Sequence, residues 1–417
     1  MRVAIAGGGI GGLAAALALS RGENDVTLFE KAPAFAEIGA GIQLGPNVTR
    51  ILQGLGLLDA TRHVATAPDR LQVCSATTAR VLGELRLGQV MAERYGAPYL
   101  TLHRADLHGV LLHAAQQTAA LHSDCSVDSF KQTPQMVFVQ TNFEAQNFDI
   151  LVGADGLWSS TREQLLDDGV PRRTGHLAYR ALIKQADLPE RLRSHNVTAW
   201  LGPNMHAVQY PVRGGEWLNV VVFVHGDVSN DFQNWNHSAN AADLKAALQG
   251  SCTELQNLIH AVPDWRLWVM HDRPPMQGAH QHAQGRVALL GDAAHPMRPY
   301  LAQGAGMAIE DAAELGLALK GANSQNVPAA LQHYAANRWQ RNARVQARSL
   351  RNGQIFHATG PVRWGRDVAI KLMGERRKVA GHALAVWVSL LDLNLLLIQA
   401  LIAHVFNQFK LYAFCYY

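Results

Sequence analysis

The chain is predicted to be an α/β protein: a Rossmann-like nucleotide-binding fold interleaved with a mixed β-sheet domain, followed by a helical C-terminal segment. Three observations predict this. A glycine triplet, Gly7-x-Gly9-x-x-Gly12, lies between an apolar strand and an apolar helix. An apolar strand ending in an acidic, glycine-bearing turn recurs at Asp149–Gly156 and at Arg286–Asp292. Between those two turns, residues 174–276 read as short strands and turns.

In chain order, Arg2–Ala6 is a short apolar strand, Ile10–Ser20 has the composition of a buried helix, and Asp25–Glu30 is a second strand. Together they make a β-α-β unit of about 30 residues. The loop Gly39–Asn47 leads to a helix around Val48–Leu57, and a helical stretch opens at His103-Arg104-Ala105-Asp106-Leu107 and runs to about Ala120. Met136–Thr141 alternates as strands do, and Phe148–Gly153 is a buried strand. Met205–Val212 and Trp217–Val224 form a hairpin across Arg213-Gly214-Gly215-Glu216. Helices dominate after Asp292. No internal repeat or linker separates these parts, so the domains interleave. Residues 1–70, 100–173 and 277–352 are assigned to the nucleotide domain, 71–99 and 174–276 to the β-rich domain, and 353–417 to a helical segment with an apolar tail.

With 48% hydrophobic residues the chain can build large cores. A net charge of +4 is too small for a nucleic-acid surface, so no nucleic-acid partner is expected. Arg338, Arg341, Arg344, Arg348 and Arg351 recur at three- and four-residue spacing and read first as a solvated helix face, with contact to a cofactor phosphate or an acidic partner as the second reading. Cys74, Cys125, Cys252 and Cys415 are too scattered for a disulfide framework or a zinc site, which suits a cytoplasmic protein, and no metal is expected. The apolar start of the chain is broken by Gly7, Gly8, Gly9, Gly11 and Gly12, which argues against a signal peptide. From Ala380 to Tyr417 the tail is apolar but interrupted by Asp392, Asn394, Gln399 and His404. A buried or dimer-forming helix is its first reading, peripheral membrane contact the second and a true membrane span the last.

The glycine triplet carries a specific chemistry. Gly7 permits the tight turn, Gly9 lets the backbone approach a pyrophosphate, and Gly12 lets the helix pack against the strand. The anion then rests on unpaired N–H groups at the positive end of the helix. Glu30 ends the second strand as an acceptor for both ribose hydroxyls and disfavours a 2′-phosphate there.

Two further segments extend the pattern: Gly153-Ala154-Asp155-Gly156-Leu-Trp158-Ser159-Ser160-Thr-Arg162, and Gly291-Asp292-Ala293-Ala294-His295-Pro296 with Pro299 and Gln303-Gly304-Ala305-Gly306 behind it. In these motifs and their order the chain resembles the single-component FAD-dependent aromatic hydroxylases, the family of salicylate, 3-hydroxybenzoate and 6-hydroxynicotinate hydroxylases, over residues 1 to 375 or so. The resemblance implies a glutathione-reductase-type FAD fold, with NADH or NADPH as reductant. It implies hydroxylation of a small aromatic substrate by O2 through a flavin C4a-hydroperoxide. Asp292 would hold the ribityl chain and Arg104 the pyrophosphate, with Lys31 beside Glu30 also toward the cofactor. Asp155-Gly156 would serve FAD and the pyridine nucleotide, and Pro299 and Gln43 would lie near the isoalloxazine. A helix opening at Gly304, Ala305 and Gly306 would aim its dipole at the N1–O2 edge of the ring.

On the substrate side, His206 and Tyr210 stand four apart on a predicted strand, on one face with Val208. In the resembled enzymes such a pair reaches the substrate phenol. A histidine near its ordinary pKa of about 6.5 can take a phenolic proton and so enrich the ring for electrophilic attack. His295 is a further candidate with an equally good structural reading. The resemblance implies a hydroxylated aromatic carboxylate, salicylate-like first, then 3-hydroxybenzoate or 6-hydroxynicotinate. Close 3-hydroxybenzoate enzymes tend to carry glutamine where this chain has Pro299, and the resemblance says nothing of the tail beyond Glu375. The alternatives are a flavin oxidase or dehydrogenase on another small substrate, and a non-enzymatic membrane-docked flavin binder. A homodimer is expected from size and tail.

Overall fold

The computed structural model describes residues 1–36, 40–226, 237–238 and 241–380, with backbone alone at 237, 238, 241 and 373–380. The apolar tail beyond residue 380 lies outside the described residues. Among the described residues no helix is long and apolar enough to cross a membrane.

Arg2–Ala6 sits inside a six-stranded sheet, in the order Ala283–Gln284, Val287–Leu289, Ile150–Gly153, Arg2–Ala6, Asp25–Phe29, Ala120–His122. Every neighbouring pair except the first is parallel. Val3 and Ile5 face a core built with the helices Ile10–Ser20, Arg104–Ala115 and Gly304–Ala318. Ala4 and Ala6 face the other way, against an antiparallel sheet of Val127–Gln132, Val137–Thr141 and Ala145–Phe148. A strand covered on both faces needs apolar residues at every position, which explains its unbroken run.

The second sheet has eight strands, in the order His237–Ser238, Arg266–Asp272, Arg172–Lys184, Trp217–His225, Met205–Val212, Val197–Gly202, Arg70–Ser75, Val81–Arg86. It is mixed, since Val197–Gly202 runs parallel to Arg70–Ser75. One face, with Tyr179, Ala181, Val220 and Val222, is covered by the helices Ala241–Ala247 and Thr253–Ala261 through Leu244, Leu255, Leu258 and Ile259. The other face, with Ala178, Tyr210, Val221 and Phe223, turns inward and meets Ala40, Tyr300, Ile355 and Phe356.

The predicted hairpin is present, its loop built from three consecutive positive-φ residues, Arg213, Gly214 and Gly215. Three local readings need correction. Residues 174–276 include two helices, whose short length hid an apolar stripe spaced three and four apart at Leu255, Leu258 and Ile259. The helix opening at Arg104 stops at Ala115, and Ala120–His122 leaves it to become the edge strand beside Asp25–Phe29. The arginine run on the helix Val327–Phe356 is only partly a solvated face. Arg338 is buried and bonds Glu310 and Asp311, and Arg341 pairs with Glu310. Charge spacing alone could not reveal those acidic partners on another helix.

Two glycines of the first turn tolerate no side chain. Gly7 has φ +105°, and a Cβ on Gly12 would fall 1.9 Å from the carbonyl oxygen of Gly7. That oxygen is backbone and cannot move aside. Gly12→Ala is therefore expected to destabilise the protein by about 3 kcal/mol, measured as a lowered urea midpoint.

Candidate active site

The nucleotide motifs all end at one edge of the parallel sheet. Gly7–Gly12 follows Arg2–Ala6, Glu30 follows Asp25–Phe29, Asp155 follows Ile150–Gly153, and Asp292 follows Val287–Leu289. From Glu30 to Asp292 this edge spans three strand spacings, roughly 14 Å. Glu30 accepts hydrogen bonds from Gly8 N at 2.6 Å and Ala32 N at 2.8 Å, which fixes its carboxylate at the turn. Lys31 next to it is exposed, and Arg104 is half-buried at its helix start. Asp155 accepts from Ser159 Oγ at 2.5 Å, Thr161 N at 3.0 Å and Thr161 Oγ1 at 2.9 Å, so it braces the start of the helix Ser160–Leu166, whose N-cap is Ser159. Gly156 follows with φ +77°. Asp292 is exposed.

Two helix N-termini point to this edge, those of Ile10–Ser20 and Gly304–Ala318. Neither has a side-chain cap, and neither has an acidic residue in its first turn. Their first N–H groups, at Ile10–Gly12 and at Gly304, Ala305 and Gly306, are therefore open to an anion or a polarised oxygen.

A buried polar network holds the segment from Gly291 to Gln303. Asp311 has no exposed surface and accepts from Gly291 N (3.1 Å), His295 Nε2 (2.5 Å), Arg338 Nε (2.7 Å) and Asn342 Nδ2 (3.0 Å). Burial alone would raise its pKa, but His295, Arg338 and His282 hold it well below the usual carboxylate range. Further along the same helix face, Gln346 Nε2 donates to the Pro296 carbonyl at 3.2 Å, Ser349 Oγ to that of Arg298, and Asn352 Nδ2 to that of Tyr300 at 3.0 Å. Pro299 thus sits on a loop whose carbonyls are pinned from one side. His295 takes its structural reading.

His206 and Tyr210 share the inner face of the mixed sheet, as expected, and both are almost fully buried. Tyr210 lies against Gly41 and Asn219, and Gln43 accepts a hydrogen bond from Tyr99 Oη. Burial pushes the Tyr210 and Tyr99 phenols upward. Tyr300, next to Pro299, meets the His206 ring edge-on at 4.9 Å between centroids. The loop carrying Pro299 therefore lies directly over this histidine.

His206 is one of four clustered histidines. Its Nδ1 lies 2.7 Å from His357 Nε2, and His357 Nδ1 lies 2.9 Å from His225 Nε2. His225 is exposed, so the chain leads from the buried ring to the surface. His176 stacks on His225 at 4.5 Å and bonds Tyr300. Burial first, then the neighbouring imidazoles, drives His206 well below 6.5, and similar causes bring His357 to about 3 and His176 to about 4. A free, unperturbed imidazole at position 206 is thus corrected: the ring is held neutral, an acceptor in need of an exit for its proton. Ligand nitrogens of His176, His225 and His357 lie within 4.8 Å of one another, as do those of His282 and His295 with an Asp311 oxygen. In both groups the close contacts are hydrogen bonds and ring contacts.

The structure joins the four nucleotide motifs along one edge and brings His206, Tyr210, Gln43 and Pro299 to the adjoining sheet face. Sequence reasoning missed His357, His225, His176, Tyr99 and Asp311. Only His225 carried any signal, as the residue just past Phe223 and Val224, which stand opposite His206 and Met205 in the predicted hairpin.

The family described as FAD binding domain matches residues 1–349. The chain is 39% identical over 369 residues to 3-hydroxybenzoate 6-hydroxylase from Polaromonas naphthalenivorans, across 88% of this chain and 90% of that one. It belongs to the FAD-binding aromatic monooxygenases. This monooxygenase is also 34% identical to 6-hydroxynicotinate 3-monooxygenase from Bordetella bronchiseptica, across 91% of this chain and 98% of the other. A salicylate hydroxylase substrate complex matches it with a TM-score of 0.76 at 26% identity, covering 94% of this chain and 98% of that chain. FAD is its cofactor, and its family consumes NAD(P)H. The residues present fit that group. Uncapped helix ends, the Glu30 carboxylate fixed at its turn and an exposed Asp292 are spread along one edge on the scale of an extended dinucleotide.

Two outcomes follow from the buried charges. Asp311→Ala leaves Arg338 buried with one acceptor fewer and should cost about 3–5 kcal/mol in urea unfolding, with FAD retention falling in parallel. Because the folded pKa of His357 is about 3, below an unfolded value near 6.5, the unfolded chain binds more protons in that window. Stability is full above pH 6.5 and falls as the pH drops toward 3. His357→Gln should flatten that fall by up to one proton, about 1.4 kcal/mol per pH unit, read from urea midpoints across pH 4–7.

Proposed function

We propose that this monooxygenase hydroxylates a small hydroxylated aromatic carboxylate, using O2 and NADH or NADPH. The observation that carries the reading is the position of the Pro299–Tyr300 loop, which lies over His206 at the end of the FAD edge. In this reading Gly7, Gly9, Gly12, Lys31 and Arg104 hold the pyrophosphate end, Glu30 the adenosine ribose, and Asp292 the ribityl chain. Asp155 and Gly156 shape the turn between FAD and the pyridine nucleotide. Gln43 and Pro299 flank the isoalloxazine, and the N-terminus at Gly304, Ala305 and Gly306 faces its N1–O2 edge. Residues 1–70, 100–173 and 277–352 then form the FAD domain, and 71–99 with 174–276 the substrate domain. The sequence similarity to a 3-hydroxybenzoate hydroxylase makes that acid the first to screen, before 6-hydroxynicotinate and salicylate.

Bound FAD supplies the electrophilic oxygen; the chain supplies the proton path. Nε2 of His206 has no hydrogen bond among the described residues, while Nδ1 faces His357. A neutral imidazole carries one N–H, so the chain has a direction. With Nδ1–H on all three rings, His206 donates to His357, His357 donates to His225, and His206 Nε2 keeps its lone pair. When the substrate hydroxyl gives its proton to Nε2, each Nδ1 proton moves one ring outward and the last leaves His225 Nδ1 for water. The phenolate is thereby formed beside a histidine too deeply buried to stay charged. Tyr210, its own proton held by burial, positions the ring as a neutral hydroxyl.

His206→Ala should retain FAD, seen as yellow absorbance, and lose coupling of NAD(P)H oxidation to product by about 100-fold or more. Normal coupled turnover in that variant, measured by product mass, would remove His206 from the role. A purified protein that stays colourless after FAD is supplied would refute the whole reading.

A further inference from the structure

The inner face of the mixed sheet carries a cation that the mechanism above does not use. Strand pairing aligns three rows of side chains on that face. One row holds Ala178, Phe223 and His206; the next holds Arg180, Val221 and Val208; the third holds Leu182, Asn219 and Tyr210. Arg180 therefore stands in the row between those of His206 and Tyr210, two strands away from their strand, or roughly 10 Å. Its guanidinium carbon lies 3.5 Å from the centre of the Trp268 ring. Its Nε is buried and bonds nothing, and Arg180 makes no hydrogen bond or ion pair with any described residue. One row away, Nδ2 of Asn219 is also buried without an acceptor, while its Oδ1 accepts from Gly41 N at 2.7 Å.

Withdrawing a guanidinium from water without an anion is strongly unfavourable. The aromatic ring beneath it offsets part of that cost and holds the guanidinium plane in place. Burial pushes the Arg180 pKa down to about 9, and Arg104 adds to this. A fork of donors fixed on a ring, with no anion beside it among the described residues, suits a planar carboxylate that arrives with a ligand.

We propose that Arg180, with Asn219 Nδ2 beside it, binds the carboxylate of the aromatic substrate while His206 receives its hydroxyl. The site selects a ring bearing an acid at one end and a phenol at the other. The assignment rests on the substrate class proposed above.

The test uses the FAD-loaded enzyme. It is titrated with 3-hydroxybenzoate, salicylate and 4-hydroxybenzoate, and with the matching hydroxybenzamides, following the change in flavin absorbance. The wild type should bind its preferred acid on the order of 100-fold more tightly than the corresponding amide. Arg180→Gln should abolish that preference, raise KM far more than it lowers kcat, and keep FAD content and melting temperature. Arg180→Lys should restore part of the preference and guards against a folding defect in the first variant. An unchanged acid-to-amide ratio in Arg180→Gln overturns the assignment, as does loss of FAD from a folded Arg180→Gln or Arg180→Lys protein, which would make Arg180 a cofactor residue. If the wild type binds none of the acids or amides, the substrate-class reading itself fails and takes this proposal with it.

Discussion

One buried carboxylate organises the junction on which the site depends. Asp311 sits without exposed surface on the helix Gly304–Ala318, yet its donors come from three separate places: the turn at Gly291, the loop start at His295, and the long helix at Arg338 and Asn342. An ionised group so placed is tolerable only with all these donors in position. The constraint therefore works in both directions. The charge fixes the turn that carries Asp292, and the turn completes the solvation of the charge.

The long helix extends this arrangement. Its buried positions Arg338, Asn342, Gln346, Ser349 and Asn352 are polar where a packing helix would ordinarily be apolar. Each satisfies a group of the opposite segment, most of them carbonyls of the loop from Pro296 to Tyr300. A loop with no regular structure can be buried only if its backbone acceptors find donors. Those donors come from one rigid element, so the loop is held as a fixed wall over His206.

The parallel sheet and the mixed sheet divide the work. The first presents backbone N–H groups and carboxylates along an edge, as suits a long polar cofactor. The second presents a face in which burial keeps phenols protonated and imidazoles neutral. The four histidines reconcile these demands: a ring too buried to stay charged is linked by two hydrogen bonds to one that reaches solvent.

The glycine spacing, the strand-turn motifs and the His206/Tyr210 period were legible because each depends on contacts within a few residues or on the two-residue repeat of a strand. The same logic explains the failures. The short helices at 241–261 were overlooked in a strand-rich stretch, and Arg338 looked solvated because its partners are more than twenty residues away. The sequence by itself determined the β-α-β unit, the mixed sheet and the order of nucleotide motifs, since local backbone conformation and apolar periodicity suffice for these. Only the tertiary structure decided that His357 stands behind His206, that Asp311 governs the loop, and that Arg180 faces inward with no anion among the described residues. Those facts depend on which distant segments meet in a medium of low polarity, where a lost hydrogen bond or an unpaired charge costs far more than any local preference can supply.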